Sequence, residues 1–117
     1  MERYKIEKNT VQETLIIPLY GRCLCSRRFP QLFQDQCAAE LMERIDYDFS
    51  ELEKKSKSLM QVFGALEVAM RQSDLEWEVR DYLKSHPEAA VINLGCGLDN
   101  TGRVCGNGHC QIYNIDL

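Results

Sequence analysis

The chain has 117 residues, of which 44% are hydrophobic and 27% charged, with 14 basic against 18 acidic side chains and a formal net charge of −4. These totals describe one modest globular domain with a core to bury, and they exclude a disordered, collagen-like or low-complexity chain. The acidic balance leaves no electrostatic footprint for DNA or RNA, so nucleic acid is not an expected partner.

Residues 1–8 alternate charged and apolar side chains and lack the apolar stretch of a secretory signal. The longest apolar run, residues 15–20, is far shorter than the ~18 residues of a membrane span. A cytoplasmic protein without a membrane partner is expected. The cysteines at 23, 25, 37, 96, 105 and 110 are then expected as reduced thiols. Cys105, His109 and Cys110 bring ligand types close together, but no second short Cys pair supplies the four ligands of a structural zinc. Small buried thiols are expected, and no metal.

Thr10 followed by Glu13 reads as a capping box opening a helix over about 11–27. Pro18 falls inside it, where the missing donor and the ring predict a kink or a break. Asp35 caps the next helix, whose Ala38, Leu41, Met42 and Ile45 follow the period of a one-sided helix expected to pack on the first. Residues 46–58 read as an exposed connection with a short turn of helix after Ser50. From Leu59 the series Val62, Phe63, Leu66, Ala69 and Met70 resumes the helical period, followed by Leu75, Val79, Tyr82 and Leu83. Ser73 and Glu76 form a second capping box, which suggests two helices meeting near residue 72. Pro87 ends the helical region.

Residues 89–94 form a short apolar run between Pro87 and Gly95 that suits a buried strand, and residues 110–115 form a second. The segment 95–109 is long enough for a parallel crossover, which needs at least ~10–12 residues, though with only a very short helix. Gly102, Gly106 and Gly108 favour loop there.

The first strand runs into Gly95-Cys96-Gly97, and Asp116 follows about 20 residues later at the tip of the second strand, the spacing of αβ proteins that hold a nucleoside. Glycines here let the backbone turn tightly and a ligand lie against it. A carboxylate at Asp116 accepts hydrogen bonds from ribose hydroxyls. The third glycine of a dinucleotide fingerprint is replaced by Asn100, and the crossover offers little helix to hold a pyrophosphate. A nucleoside without phosphates fits better than a nicotinamide dinucleotide, which disfavours an oxidoreductase. The competing account is that both glycines only shape a strand-to-loop turn.

The chain also contains Glu13-Thr14-Leu15, Pro18-Leu19-Tyr20-Gly21-Arg22, Asp35, Ala38-Ala39-Glu40-Leu41, Ile45-Asp46-Tyr47-Asp48-Phe49, Arg71, Arg80-Asp81-Tyr82-Leu83 and Asn93-Leu94-Gly95-Cys96-Gly97-Leu98-Asp99. In these segments, over nearly its whole length, the sequence resembles the leucine carboxyl methyltransferase family, and in particular its bacterial branch of O-methyltransferases of polyketide biosynthesis. The resemblance implies an α/β chain: an N-terminal helical region (1–87) followed by the first β-loop/α-β unit (88–117) of a Rossmann-like class I methyltransferase. It implies S-adenosylmethionine as cofactor, with Gly95, Cys96 and Gly97 under its methionine part, Asp116 at its ribose and Arg71 at its carboxylate. Asp99 is expected at the cofactor's amino end or as a cap of the crossover. Read without the resemblance, Arg71 is an exposed helical residue paired with Glu67, and Arg22, which matches a helical arginine of the family, is an exposed charge. The pattern is departed from at Asn100, where relatives carry Thr or Ser, and in the glycine-rich 102–108.

The implied reaction is in-line methyl transfer to a carboxylate or hydroxyl of a small molecule or a peptide C-terminus. The protein's task is then mainly positioning and exclusion of water. No catalytic base is assigned. Relatives of this kind are longer, so the chain is expected to be the N-terminal portion of a methyltransferase, inactive alone. The alternative is a non-catalytic nucleoside-binding or interaction module that closes its sheet edge by self-association.

Overall fold

The structure is a computed structural model that describes residues 2–117. It divides into two compact units, Met1–Met70 and Arg71–Leu117, with the boundary inside a long helix. In the first unit, Tyr4–Lys5 (β1) pairs in parallel with Ile45–Asp46 (β2), Tyr4 opposite Ile45. Strands this short carry no readable period, and this pair was not expected from the sequence.

The helix expected over 11–27 is two helices, Val11–Thr14 (α1) and Ile16–Arg28 (α2). The break falls at Leu15 because Pro18 has no N–H for the Thr14 carbonyl, four residues earlier, and its ring crowds that carbonyl. In the first turn of α2 the missing donor removes nothing, since first-turn amides have no intrahelical acceptor. The capping box expected at Thr10 and Glu13 does not form, since the Thr10 hydroxyl caps no helix amide. Thr10 Oγ1 donates to the Glu7 carbonyl at 2.7 Å, while Glu13 reaches past Thr10 and accepts the Asn9 N–H at 2.6 Å.

Ile16, Leu19, Tyr20, Cys23, Leu24 and Cys25 are all buried, so α2 hides more than one stripe and runs through the middle of its unit. Tyr20 and Leu24 pack on Ala65, and Cys25 packs with Phe33 and Ala69. Asp35 caps Gln36–Arg44 (α3) as expected, its Oδ1 accepting the Ala38 N–H at 2.9 Å, and α3 packs on α2. The same carboxylate lies 3.5 Å from Arg22, and the two residues are 6% and 3% exposed. Arg22 is therefore a buried member of an ion pair, which corrects the account of it as an exposed helical charge. Ser50–Lys55 (α4) is the short helix expected after Ser50.

Leu59–Ser85 (α5) is one uninterrupted helix, which corrects the two helices expected to meet near 72. Neither Gly nor Pro lies between Met70 and Ser85, and Gln72 spends its side chain on a tertiary contact described below, so nothing stops propagation. The helix ends two residues before Pro87, as expected.

The second unit adds Ala90–Leu94 (β3), Thr101–Cys105 (α6) and Gln111–Ile115 (β4) to the C-terminal part of α5. β3 and β4 are parallel, as expected, with Ala90 opposite Gln111 and Leu94 opposite Ile115. Val91, Asn93 and Ile112 are half-buried on one face. On the other, Ile92, Leu94, Tyr113 and Ile115 are 59%, 74%, 50% and 51% exposed. The buried strand expected over 89–94 is thus covered on one face only. A two-sided parallel sheet needs helices on both faces, and the one crossover helix between these strands lies on one. No helix of the described residues is long and apolar enough to cross a membrane.

Candidate functional site

Both glycines of the turn adopt left-handed backbone, φ +62° at Gly95 and +51° at Gly97. Non-glycine residues rarely hold such angles, so the local fold alone demands glycine at both. At Gly95 there is a second fact: a Cβ placed there meets no atom within 4 Å. The space in front of that backbone is open, which suits a ligand lying against it.

The turn is fastened to the end of β4. Gly95 N–H donates to the Ile115 carbonyl at 2.7 Å and Cys96 N–H to the same oxygen at 3.3 Å. Gly97 N–H then donates to Asp116 Oδ2 at 2.5 Å. Asp116 Oδ1 accepts the N–H of Leu117 at 2.7 Å, and the residue is exposed. A carboxylate offers about four acceptor positions, so these two bonds leave room for hydroxyl donors from outside. The structure thus brings Gly95, Cys96, Gly97 and Asp116 together at adjacent strand ends, the feature on which a nucleoside reading depends.

Asp99 faces inward. Its Oδ1 accepts from Asn93 Nδ2 at 2.9 Å and from Thr101 N–H at 3.0 Å, and its Oδ2 takes a longer bond of 3.2 Å from Asn93. It links the inner face of β3 to the start of α6. Arg71 is exposed on α5, and no hydrogen bond or ion pair joins it to the turn or to Glu67 among the described residues.

The crossover is helical where three glycines favour loop, because Gly102 is wanted inside the helix. A Cβ there falls 2.5 Å from Ile112 Cγ2, closer than real contacts allow. Only glycine lets α6 lie this near β4. In a dinucleotide fingerprint the third glycine serves close helix–strand packing. Here, with Asn100 in that position, Gly102 does so two residues later.

Gln72 escaped the sequence reading. It is 7% exposed, and its Nε2 donates to Thr101 Oγ1 at 2.7 Å and to Glu76 Oε1 at 3.1 Å, tying α5 to the first residue of α6. Its signal was a polar residue on the stripe that Ala65 and Ala69 begin. Cys105 is also turned inward, with its thiol on the Glu76 carbonyl at 3.5 Å, and burial pushes its pKa up. Its Sγ faces protein instead of a ligand set with His109 and Cys110. Among the described residues no group of three or more His, Cys, Asp or Glu is placed to hold a metal ion.

Comparison with known proteins adds a relationship to this geometry. The chain is 42% identical over 91 residues to the tetracenomycin polyketide synthesis O-methyltransferase TcmP of Streptomyces glaucescens, a stretch covering 77% of this chain and 31% of that protein. The likeness is to an O-methyltransferase. The match spans about a third of that relative's length. No protein-family model and no solved structure matches the chain.

Proposed function

We propose that this chain carries the first part of the S-adenosylmethionine site of a Rossmann-like class I O-methyltransferase of the leucine carboxyl methyltransferase family. The observation that carries the reading is the Gly97–Asp116 hydrogen bond, which holds an open glycine turn and an exposed carboxylate at the tips of neighbouring parallel strands. The 42% identity to an O-methyltransferase supports the chemistry.

Gly95 and Gly97 present bare backbone to the methionine portion of the cofactor, with Cys96 between them. Asp116 accepts the ribose hydroxyls, its remaining lone pairs oriented by the Gly97 bond. Arg71, an exposed guanidinium, is suited to a carboxylate through two parallel hydrogen bonds. Asp99, held by Asn93 and Thr101, positions the turn; the cofactor's amino group is its proposed ligand. When bound, S-adenosylmethionine supplies an electrophilic methyl group. The protein has to align an oxygen acceptor of a small molecule or peptide C-terminus and exclude water. An ionised carboxylate acceptor requires no base, and none is assigned.

The bare apolar face of β3–β4 and the short share of the relative that is matched support a site completed by further polypeptide, with the 117-residue chain inactive alone. Titration with S-adenosylhomocysteine, followed by amide NMR, tests this. Millimolar-range binding that shifts Gly95–Asp99 and is lost in Asp116→Ala is the expected result. Absence of shifts at the turn rejects the cofactor site, whereas micromolar affinity in calorimetry rejects the view that the site is partial.

A further inference from the structure

We propose that Gln72 and Thr101 are positioning residues for the amino-acid end of the cofactor. Through them α5 sets where Asp99 and Arg71 stand, and with that the preference for a ligand carrying an ammonium and a carboxylate over one without them. The inference rests on the S-adenosylmethionine reading above and adds to it two residues that act through others.

An unbroken line of hydrogen bonds runs from α5 into the glycine turn. Gln72 Nε2 donates to Thr101 Oγ1 at 2.7 Å, Thr101 N–H donates to Asp99 Oδ1 at 3.0 Å, and Asp99 N–H donates to the Cys96 carbonyl at 3.0 Å. Thr101 joins the two halves, accepting on its side chain and donating from its backbone. Gln72 and Thr101 are 7% and 6% exposed, which shields their bond from water. Gln72 Nε2 also donates to Glu76 Oε1 at 3.1 Å. An amide nitrogen has two hydrogens to give, so these two acceptors fix its orientation.

Stability alone does not call for this arrangement. Methionine at 72 against valine at 101 would replace both polar partners by apolar groups of like shape, a change that is close to neutral or stabilising. What an apolar contact lacks is direction, and a partnered buried network supplies it. Successive helical residues point about 100° apart, so pinning the inward Gln72 sets the phase of α5 at the exposed Arg71 beside it. At the other end Asn93 and Thr101 occupy Asp99 Oδ1 at 2.9 and 3.0 Å, while Oδ2 takes the longer 3.2 Å bond from Asn93. Oδ2 is therefore the oxygen with room for an ammonium. A cation and an anion held by one link match the two charged groups of an α-amino acid.

The full chain and its variants are titrated with S-adenosylhomocysteine and with 5′-methylthioadenosine, which lacks the amino-acid end, and followed by amide NMR at the turn. The unmodified chain is expected to bind S-adenosylhomocysteine at least about tenfold more tightly. Gln72→Met and Thr101→Val are each expected to cut that preference to within about twofold at unchanged 5′-methylthioadenosine affinity, with the double variant no worse than either alone. Thr101→Ser, which keeps the hydroxyl, is expected to retain the preference. The Thr101 pair decides the matter if Gln72→Met does not fold. A purely structural role would weaken both ligands together, and that result overturns the proposal. So does a folded Gln72→Met or Thr101→Val that keeps the preference, or equal affinity for the two ligands in the unmodified chain. Absence of turn shifts with either ligand rejects the cofactor reading itself, and this proposal with it.

Discussion

Residues up to Met70 and residues from Arg71 onward are held together by different means. The first unit encloses Ile16, Leu19 and Ala69 at 0% exposure and Cys25 at 1%. The second encloses mainly small or polar side chains, among them Gln72, Thr101 and Cys105, and leaves Leu94 at 74% and Ile92 at 59% exposure. Its order comes from directed contacts: Gln72 on Thr101, Asn93 on Asp99, Gly97 on Asp116. Full burial of an aliphatic side chain stabilises by ~1.5–3 kcal/mol, whereas an intramolecular hydrogen bond contributes a net ~0.5–1.5 kcal/mol. The helical unit therefore carries its own stability, and the glycine-turn unit has defined geometry on a thin core.

The interior ion pair gives the hardest test of that contrast. Asp35→Ala removes both the counter-ion of a buried arginine and the cap of α3, and is expected to destabilise the first unit by ~3–5 kcal/mol in denaturant unfolding. A loss under ~1 kcal/mol would mean that Arg22 is solvated and that the unit is looser than its burial indicates. Hydrogen exchange compares the units directly. Amides of α2 should exchange at least about a thousandfold more slowly than those of β4, a difference of ~4 kcal/mol in opening free energy. Equal protection would remove the contrast.

Gly102→Ala probes the second unit where it is most tightly fitted. The new Cβ is expected to push α6 from β4 at ~1–3 kcal/mol, and Ile112→Ala, which removes the opposing methyl, should restore part of the loss as a coupling in a double-mutant cycle. Additive effects would place the close approach elsewhere.

The smallest effect is a titration. Tyr47 Oη donates to Glu13 Oε1 at 2.7 Å, and this bond, then that from Asn9, holds the Glu13 carboxyl below its ordinary 4.5. The same bond, with burial and neighbouring carboxylates, pushes the Tyr47 phenol up to about 12. Glu13's share of stability is present above 4.5 and is lost as pH falls through the lowered folded value. That of Tyr47 is present below 10.0 and is lost as pH rises through about 12. In Tyr47→Phe the Glu13 resonance should titrate closer to 4.5; an unchanged midpoint would assign the shift to Asn9.

How much of this was legible in the sequence varied with the range of the interaction. The Asp35 cap, the break before Pro18, the stop before Pro87 and the two parallel strands rest on neighbours in the chain or on a period within one element, and each was readable. The Gly95–Gly97 turn was readable too, because a positive φ is a local demand that only glycine meets cheaply. Misreadings came where a distant residue decided the outcome. Gly102 looked like a loop glycine until Ile112 was placed against it, and Gln72 drew no reading at all until Thr101 received its amide. Arg22 looked like an exposed charge until Asp35 was brought beside it.

By itself the sequence determined the break before Pro18, the Asp35 cap, the two parallel strands of the second unit, the glycine turn and the acid that answers it, since these follow from backbone sterics and residue spacing. Only the tertiary structure decided which polar groups went inside and which sheet face stayed bare. Burial depends on what packs from elsewhere in the chain, and a residue's type does not encode its neighbours.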